Sequence, residues 1–454
     1  METCSYITHS HSGSFCGFLL PLSELANYQA TYLIARWRYP PRRRGEWYPK
    51  FSLRSPLRGL LLINQSKHHY IGIEMQTRIL HILSDKDKRI RPLENLVFGL
   101  ERNMFSQVIC YLRGDNDTQT EFEAWGHEII TLNIAATSKR GFQPSVVLKI
   151  ARIIKERKID IVHCQRHKPT VYGTLAAYLA GKDSKVISHV RGLNRTRNLR
   201  RRLLNRLLFK RIARVIAVSN GVREDIVKSN PKAIREKVVT VYNGINVVPF
   251  LDCGLTRKQA RARLGLPGKE GFIYGTVGRL VETKGQKVLL KAFAIVYGKY
   301  PESWLLLAGA GRLESELRAL ASALDIHERV VFLGFRRDIP EILKACDVFV
   351  LPSIAEGLPG ALLEAMAVGI PVIASRVGGV PEILISPDLG VMVSPSAVDE
   401  LSVAMEQLCS MDEMKRNEVG KALRQRVLEQ FTSEKMVSAM VGQYMEVMGE
   451  DRVG

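Results

Sequence analysis

From residue 75 onward the apolar positions fall into short buried-looking runs separated by amphipathic stretches. The first runs are RILHIL, QVICYL, EIITLN, IDIVHC, KVISHV, ARVIAV and KVVTVYN, with helical patterning between them at 144–157 and 171–181. Such alternation predicts a parallel sheet with helices on both faces. Around 250–270 the rhythm pauses at FLDCGLTRKQARARLGLPGKEG and then restarts with GFIYGTVG, SWLLLAG, RVVFLG, DVFVLPS, PVIAS and GVMVS. A second doubly wound sheet is expected, so the chain is read as α/β with two Rossmann-like domains facing across a cleft. There the carboxyl ends of both sets of strands meet a ligand. The expected boundaries are 75–250 and 251–431, with a closing helical segment at 432–454. Residues 1–74 sustain no helical or alternating period and include the Pro- and Arg-rich RYPPRRRGEWYPKFSLRSPLRG. They are expected to be a disordered, dispensable extension, or a misassigned start with Met75 as the natural first residue.

Length and composition fit this picture: 454 residues, 46% hydrophobic, suffice for two or three cores. Seven cysteines, scattered and without a CxxC pair, indicate neither a disulfide framework nor a zinc site, and a reducing cytoplasm fits them. The run FCGFLLPL is far too short to span a bilayer. Charge changes the picture more. The formal net charge is +21, and the first 250 residues hold 42 basic against 19 acidic side chains, whereas residues 251–431 balance at 22 each. One half of the chain is built to meet something anionic.

Candidate chemistry gathers in the second half. In YGTVGRLVETKGQKVLLKAF a strand runs into Gly275 and Gly278, then Arg279 and Lys284 ahead of a helix starting near Gly285. Small residues let backbone approach a phosphate, Arg supplies a fork of donors and Lys a point charge, although a solvated basic pair has the same pattern. LLLAGAGRLESEL repeats the strand–glycine–helix form with Gly309 and Gly311, resembling a dinucleotide fingerprint without its third glycine. After DVFVLP, Pro359 suits a first helical position, and the N–H groups of Gly360, Ala361 and Leu362 would form an anion cradle. Glu356 and Glu364 flank that turn. Each alone could be ordinary helix decoration; together with the cradle, Glu364 lies deep enough to accept hydrogen bonds from ribose hydroxyls. The D-x-D at Asp115 and Asp117 reads as a turn rather than a cation site.

GRLVETKG, LLLAGAGRLESEL, VVFLGFRRDIPEIL and ACDVFVLPSIAEGLPGALLEAMAVGIPVIASRVGGVPEIL, in that order, closely resemble the C-terminal half of glycosyltransferase family 4, retaining enzymes of the GT-B fold. The resemblance runs from about 237 to 431 and includes the E-x7-E signature, here Glu356 to Glu364. It implies transfer of a sugar, with retention and without a metal or cofactor, from a nucleotide-diphosphate sugar, expected to be a UDP-sugar. It also assigns roles by position. Glu364 falls on the ribose, Glu356 beside the donor sugar, and Gly278, Gly309, Gly357 and the Gly360 turn around the diphosphate. Arg279 and Lys284 bind that diphosphate as the leaving group, and Phe335 lies near the base. Many relatives extend lipid-linked envelope glycans, so a glycan or glycolipid acceptor such as lipopolysaccharide core is expected.

The first half resembles the family less. KIDIVHCQRHKPTVYGTLAAYLAG places His163, and with it His167, at the cleft, where a structural role is the competing reading. Where family members carry a His before the next Gly, this chain has SHVRG, so Arg191 is expected to hold a phosphate or an acidic acceptor group. IRPLENL replaces the family's glycine-rich loop, so Arg91 and Pro92 shape the acceptor pocket differently, and Asn246 stands where Asp is common. In GT-B enzymes a terminal helix crosses back to the first domain, and 432–454 is expected to do so. Residues 191–214 contain ten Arg/Lys and no acid, with Leu203, Leu204, Leu207, Leu208 and Ile212 at helical spacing. That segment is expected to dock on the anionic inner face of the cytoplasmic membrane, making the protein cytoplasmic and peripheral. Two alternatives stand beside the transferase: a GT-B sugar-nucleotide epimerase, and a basic nucleic-acid binder. The second is disfavoured because the Arg-rich segment lacks interleaved aromatics.

Overall fold

The computed structural model describes residues 76–449, apart from 116–118, 135–141, 182, 194–198, 231 and 267–270. The expectations for residues 1–74 and for Asp117 lie outside the described residues. All thirteen apolar runs form strands. Seven build one parallel sheet in the order β3-β2-β1-β4-β5-β6-β7 and six build another in the order β10-β9-β8-β11-β12-β13. In the first sheet β1 is Thr77–Asp85, β2 Phe105–Arg113, β3 Glu128–Thr131, β4 Ile161–Gln165, β5 Lys185–Val190, β6 Arg214–Ala217 and β7 Val238–Thr240. In the second, β8 is Ile273–Val277, β9 Trp304–Ala308, β10 Val330–Gly334, β11 Val348–Leu351, β12 Val372–Ser375 and β13 Val391–Val393.

Both sheets reverse direction of growth at one place, between β1 and β4 in the first and between β8 and β11 in the second. Loops leaving the two strands at such a point diverge to opposite faces and open a crevice at the strands' carboxyl ends. The loops after β8 and β11 are the ones that carry Lys284 and Glu356. The central strands read as continuous apolar runs because helices cover both faces; β4 and β11 are buried at every position.

After the second sheet, the chain returns to the first domain. Ile245 and Thr432 pair where the two crossings meet. The helix Ser433–Gly449 then buries Met436, Met440, Tyr444 and Val447, a stripe at helical spacing. Of that stripe, Met436, Met440 and Tyr444 pack with Ile79, Phe105 and Ile161 of the first sheet.

Candidate active site

Strand β8 runs into Gly278 and exposed Arg279, followed by a short 3-10 turn, Glu282–Lys284, and the helix Gln286–Lys299. Gly285 joins turn to helix at φ +68, and a side chain there would meet the Pro352 carbonyl at 1.9 Å. Only glycine satisfies both conditions. This junction lets Lys284 reach across the switch point, where its Nζ lies 2.6 Å from Glu356 Oε1. Ser353 Oγ donates to the same oxygen at 2.6 Å. Lys284's stem also passes over Gly278. Gly309 backs onto this loop, where a Cβ would sit 1.9 Å from the Gly278 carbonyl.

The helix Gly360–Val368 begins four residues after Glu356, with Pro359 as its N-cap rather than its first helical residue. Gly360, Ala361 and Leu362 therefore form the first turn, whose N–H groups have no intrahelical acceptor, and no side chain caps them. Glu364 follows one turn deeper and is buried. Burial raises its pKa, opposed by the Arg91 guanidinium, whose Nη1 lies 2.7 Å from Glu364 Oε1. Arg91 comes from the first domain, at the start of the helix Arg91–Gly99 that follows β1. The segment that replaces a glycine-rich loop thus delivers a cation to the second signature carboxylate. Phe335, just past β10, is 72% exposed.

The first domain's candidates are arranged otherwise. His163, expected at the cleft, has no exposed surface here: β4 is covered on both faces, and its ring is enclosed. Its Nδ1 lies 2.8 Å from the Tyr444 hydroxyl of the terminal helix and its Nε2 3.2 Å from His189 Nδ1. His81, its register partner on β1, is buried as well and bonded to Gln107. Burial depresses all three imidazoles, His81 to about 3, and His163 and His189 well below the usual value. Arg191, at the end of β5, donates to Gln165 Oε1 at 2.9 Å and to Asn243 Oδ1 at 3.1 Å. These acceptors are neutral, and burial lowers its pKa to about 9. Its carbonyl touches Gly357, where a Cβ would lie 2.4 Å away. His167 opens the helix His167–Ala180.

The second-domain candidates Gly278, Arg279, Lys284, Gly309, Glu356, Gly357, Gly360, Ala361, Leu362 and Glu364 gather on loops and first turns at the strand ends of one sheet. Arg191 meets them through its backbone, and His163 lies apart. Sequence reasoning missed Tyr444 and Glu382 of the GGVPEIL turn, and did not foresee that Arg91 would meet Glu364.

A paired-domain fold with its signature residues on switch-point loops defines a GT-B glycosyltransferase. Residues 93–248 match Glycosyltransferase Family 4 and residues 256–426 match Glycosyl transferases group 1. A GDP-mannose-dependent monoacylated alpha-(1-6)-phosphatidylinositol monomannoside mannosyltransferase of Corynebacterium glutamicum is 32% identical over 307 residues, 64% of this chain and 78% of that protein. The N-acetyl-alpha-D-glucosaminyl L-malate synthase of Bacillus anthracis is 28% identical over 335 residues, 72% of this chain and 85% of that protein. The fold is also that of Anabaena HepE, solved in complex with UDP and glucose. The TM-score is 0.70 at 21% identity, covering 82% of this chain and 100% of that one. The chain belongs to glycosyltransferase family 4, group 1 type.

Proposed function

We propose that this glycosyltransferase moves a hexose from a UDP-sugar, with retention at the anomeric carbon and without a metal, to a cell-envelope glycan or lipid-linked acceptor such as lipopolysaccharide core. The observation that carries the reading is the convergence of Lys284, Glu356 and the uncapped first turn Gly360–Leu362, with Glu364 one turn deeper. Negative charge grows on the diphosphate as the sugar departs. Lys284, Arg279 and the helix start stabilise that charge more in the transition state than in the ground state, and they supply the role a cation would otherwise fill. Glu356, held by Lys284 and Ser353, stands where the donor sugar would lie, and Glu364 accepts from the ribose. HepE's complex with UDP supports the base, while the mannosyltransferase's use of GDP-mannose makes GDP the competitor to test. A thermal-shift panel of UDP- and GDP-sugars should give stabilisation by one UDP-sugar. Turnover with that donor should persist in EDTA, and NMR of the product should show the donor's anomeric configuration. Stabilisation by GDP-sugars alone, or an inverted product, rules the reading out.

The same proposal places the protein, cytoplasmic, on the inner face of the cytoplasmic membrane. No helix among the described residues is long and apolar enough to cross a membrane. The helix Leu199–Leu208 instead exposes Leu207 at 67% beside exposed Arg206, Lys210 and Arg211. Arg211 lies over the Tyr178 ring at 4.2 Å, and Tyr178 and Leu179 are themselves exposed. Apolar and basic side chains on one surface suit an anionic interface, each cation contributing about 1 kcal/mol. Vesicles containing anionic lipid should sediment the protein at low salt and release it at high salt. Equal binding to neutral vesicles refutes the electrostatic reading.

A further inference from the structure

The turn that carries Glu356 is joined to the first domain by a seam of backbone and side-chain hydrogen bonds. Gly357, the residue after Glu356, presents its carbonyl to two donors: Gly379 N–H at 2.8 Å from its own domain and Ser219 Oγ at 3.0 Å from the first domain. Ser219 is also the N-cap of the helix Asn220–Ser229, accepting from Val222 N–H. Gly379 in turn caps the short helix Val380–Ile383, which carries Glu382.

Glu382 closes the circuit. Its Oε2 accepts from Asn220 N–H at 2.7 Å and from the Tyr242 hydroxyl at 2.9 Å, and its Oε1 accepts from Gly221 N–H at 2.8 Å. A carboxylate of one domain therefore takes two successive N–H groups at the positive end of the other domain's helix, the favourable arrangement of charge and dipole. Tyr242 is held in place by Asn220 Nδ2 at 2.9 Å. Burial, and then the carboxylate, push its pKa up to about 12, so it stays protonated and donates. Contact along the seam is tight. A Cβ on Gly221 would lie 2.7 Å from the Gly378 carbonyl, and one on Gly378 would lie 2.0 Å from the Glu356 carbonyl.

We propose that Glu382 is a positioning residue for glycosyl transfer: by capping the helix Asn220–Ser229 across the domain boundary, it holds the Gly357–Gly378 seam closed and fixes Glu356 in register with the first domain. The proposal rests on the reading that Glu356 stands beside the donor sugar. The Glu382 carboxylate is taken up by Asn220 N–H, Gly221 N–H and the Tyr242 hydroxyl. It acts through the backbone that follows Glu356, so its loss should misplace the carboxylate without removing a donor contact.

The test uses the full chain and two independent lesions. Glu382→Gln keeps the shape but leaves one acceptor oxygen for the two N–H groups. Gly221→Ala wedges the seam from the other side, at a helical position where alanine favours the helix itself. Amide exchange should rise in both variants at 219–223 and also at 353–363. With the donor found by the thermal panel, kcat should fall about ten- to hundredfold while donor KM and UDP affinity hold. Glu382→Asp, which keeps the charge on a shorter stem, should recover part of the rate. Unchanged exchange at 353–363 in both variants, or a loss expressed in donor KM rather than kcat, overturns the proposal. Failure of the underlying reading looks different: Glu356→Gln would turn over at the wild-type rate, while exchange at 353–363 would still respond to Glu382.

Discussion

At the carboxyl end of the second sheet the signature groups are ionic and paired: Glu356 with Lys284 at 2.6 Å, Glu364 with Arg91 at 2.7 Å. At the same end of the first sheet lies a buried polar chain with no carboxylate. His163 is its hub: the ring lies beside His81, Nδ1 meets the Tyr444 hydroxyl, and Nε2 faces both His189 Nδ1 and the Gln165 amide nitrogen, while Arg191 is held by the amide oxygens of Gln165 and Asn243. The difference is physical. Arg91 is half exposed and Lys284 partly so, and ions near water exchange one partner for another at modest cost, which suits a site that admits a charged nucleotide. Fully buried imidazoles have no such freedom. They stay neutral, hold their hydrogen bonds and stiffen the domain against which the other works.

Acid should break the comparison most sharply. Each of the three imidazoles is depressed in the fold, so each takes up a proton on unfolding once the pH drops below the ordinary value of 6.5. Their contribution to stability is complete above that pH and is lost progressively below it, for His81 toward about 3. Every histidine adds a slope of about 1.4 kcal/mol per pH unit, so three acting together give about 4. Melting temperature measured from pH 7.5 to about 4.5 should fall steeply below about 6, and His163→Gln should flatten the slope by about a third. A flat profile would show that the histidine chain is not neutral.

Removing the cation of the second domain comes next in size. Lys284→Met leaves Glu356 with Ser353 alone and removes the positive charge proposed to stabilise the leaving group. Turnover should fall by about a hundred- to a thousandfold, the range for losing one preorganised electrostatic contact. Steady-state kinetics decide, and a change in donor KM with kcat preserved would mean that Lys284 serves binding alone.

Much of this architecture was legible in the chain because it is local. All thirteen strands announce themselves as apolar runs, and the glycine-rich loops, Lys284 and the Glu356–Glu364 pair sit within motifs that are contiguous in sequence. What escaped is long-range. Arg91 and Glu364 stand 273 residues apart, His163 and Tyr444 281, and Gly221 and Glu382 161. No periodicity encodes such partners. Pro359 shows the limit at short range, since proline suits an N-cap as readily as a first helical position and the two differ by one residue. His163 shows another limit. In a strand covered on both faces, an inward histidine and a cleft-facing one have the same neighbours in sequence, and only the third dimension separates them.

The smallest effect should come from the terminal helix, and it sharpens the comparison by separating stability from turnover. Tyr444 is buried, its hydroxyl meets His163 Nδ1 at 2.8 Å, and its ring packs on Phe105 at 5.9 Å between centroids. Tyr444→Phe keeps the ring and removes only the hydroxyl, leaving a buried imidazole nitrogen without its partner. That should cost about 1–3 kcal/mol, read as a lower denaturation midpoint at pH 7.5. Donor KM and kcat should stay near wild type, because the hydroxyl lies in the neutral chain of the first domain and the proposed diphosphate contacts lie in the ionic site of the second. A large fall in kcat with stability intact would place the histidine chain in the catalytic machinery and dissolve the contrast between the two domains.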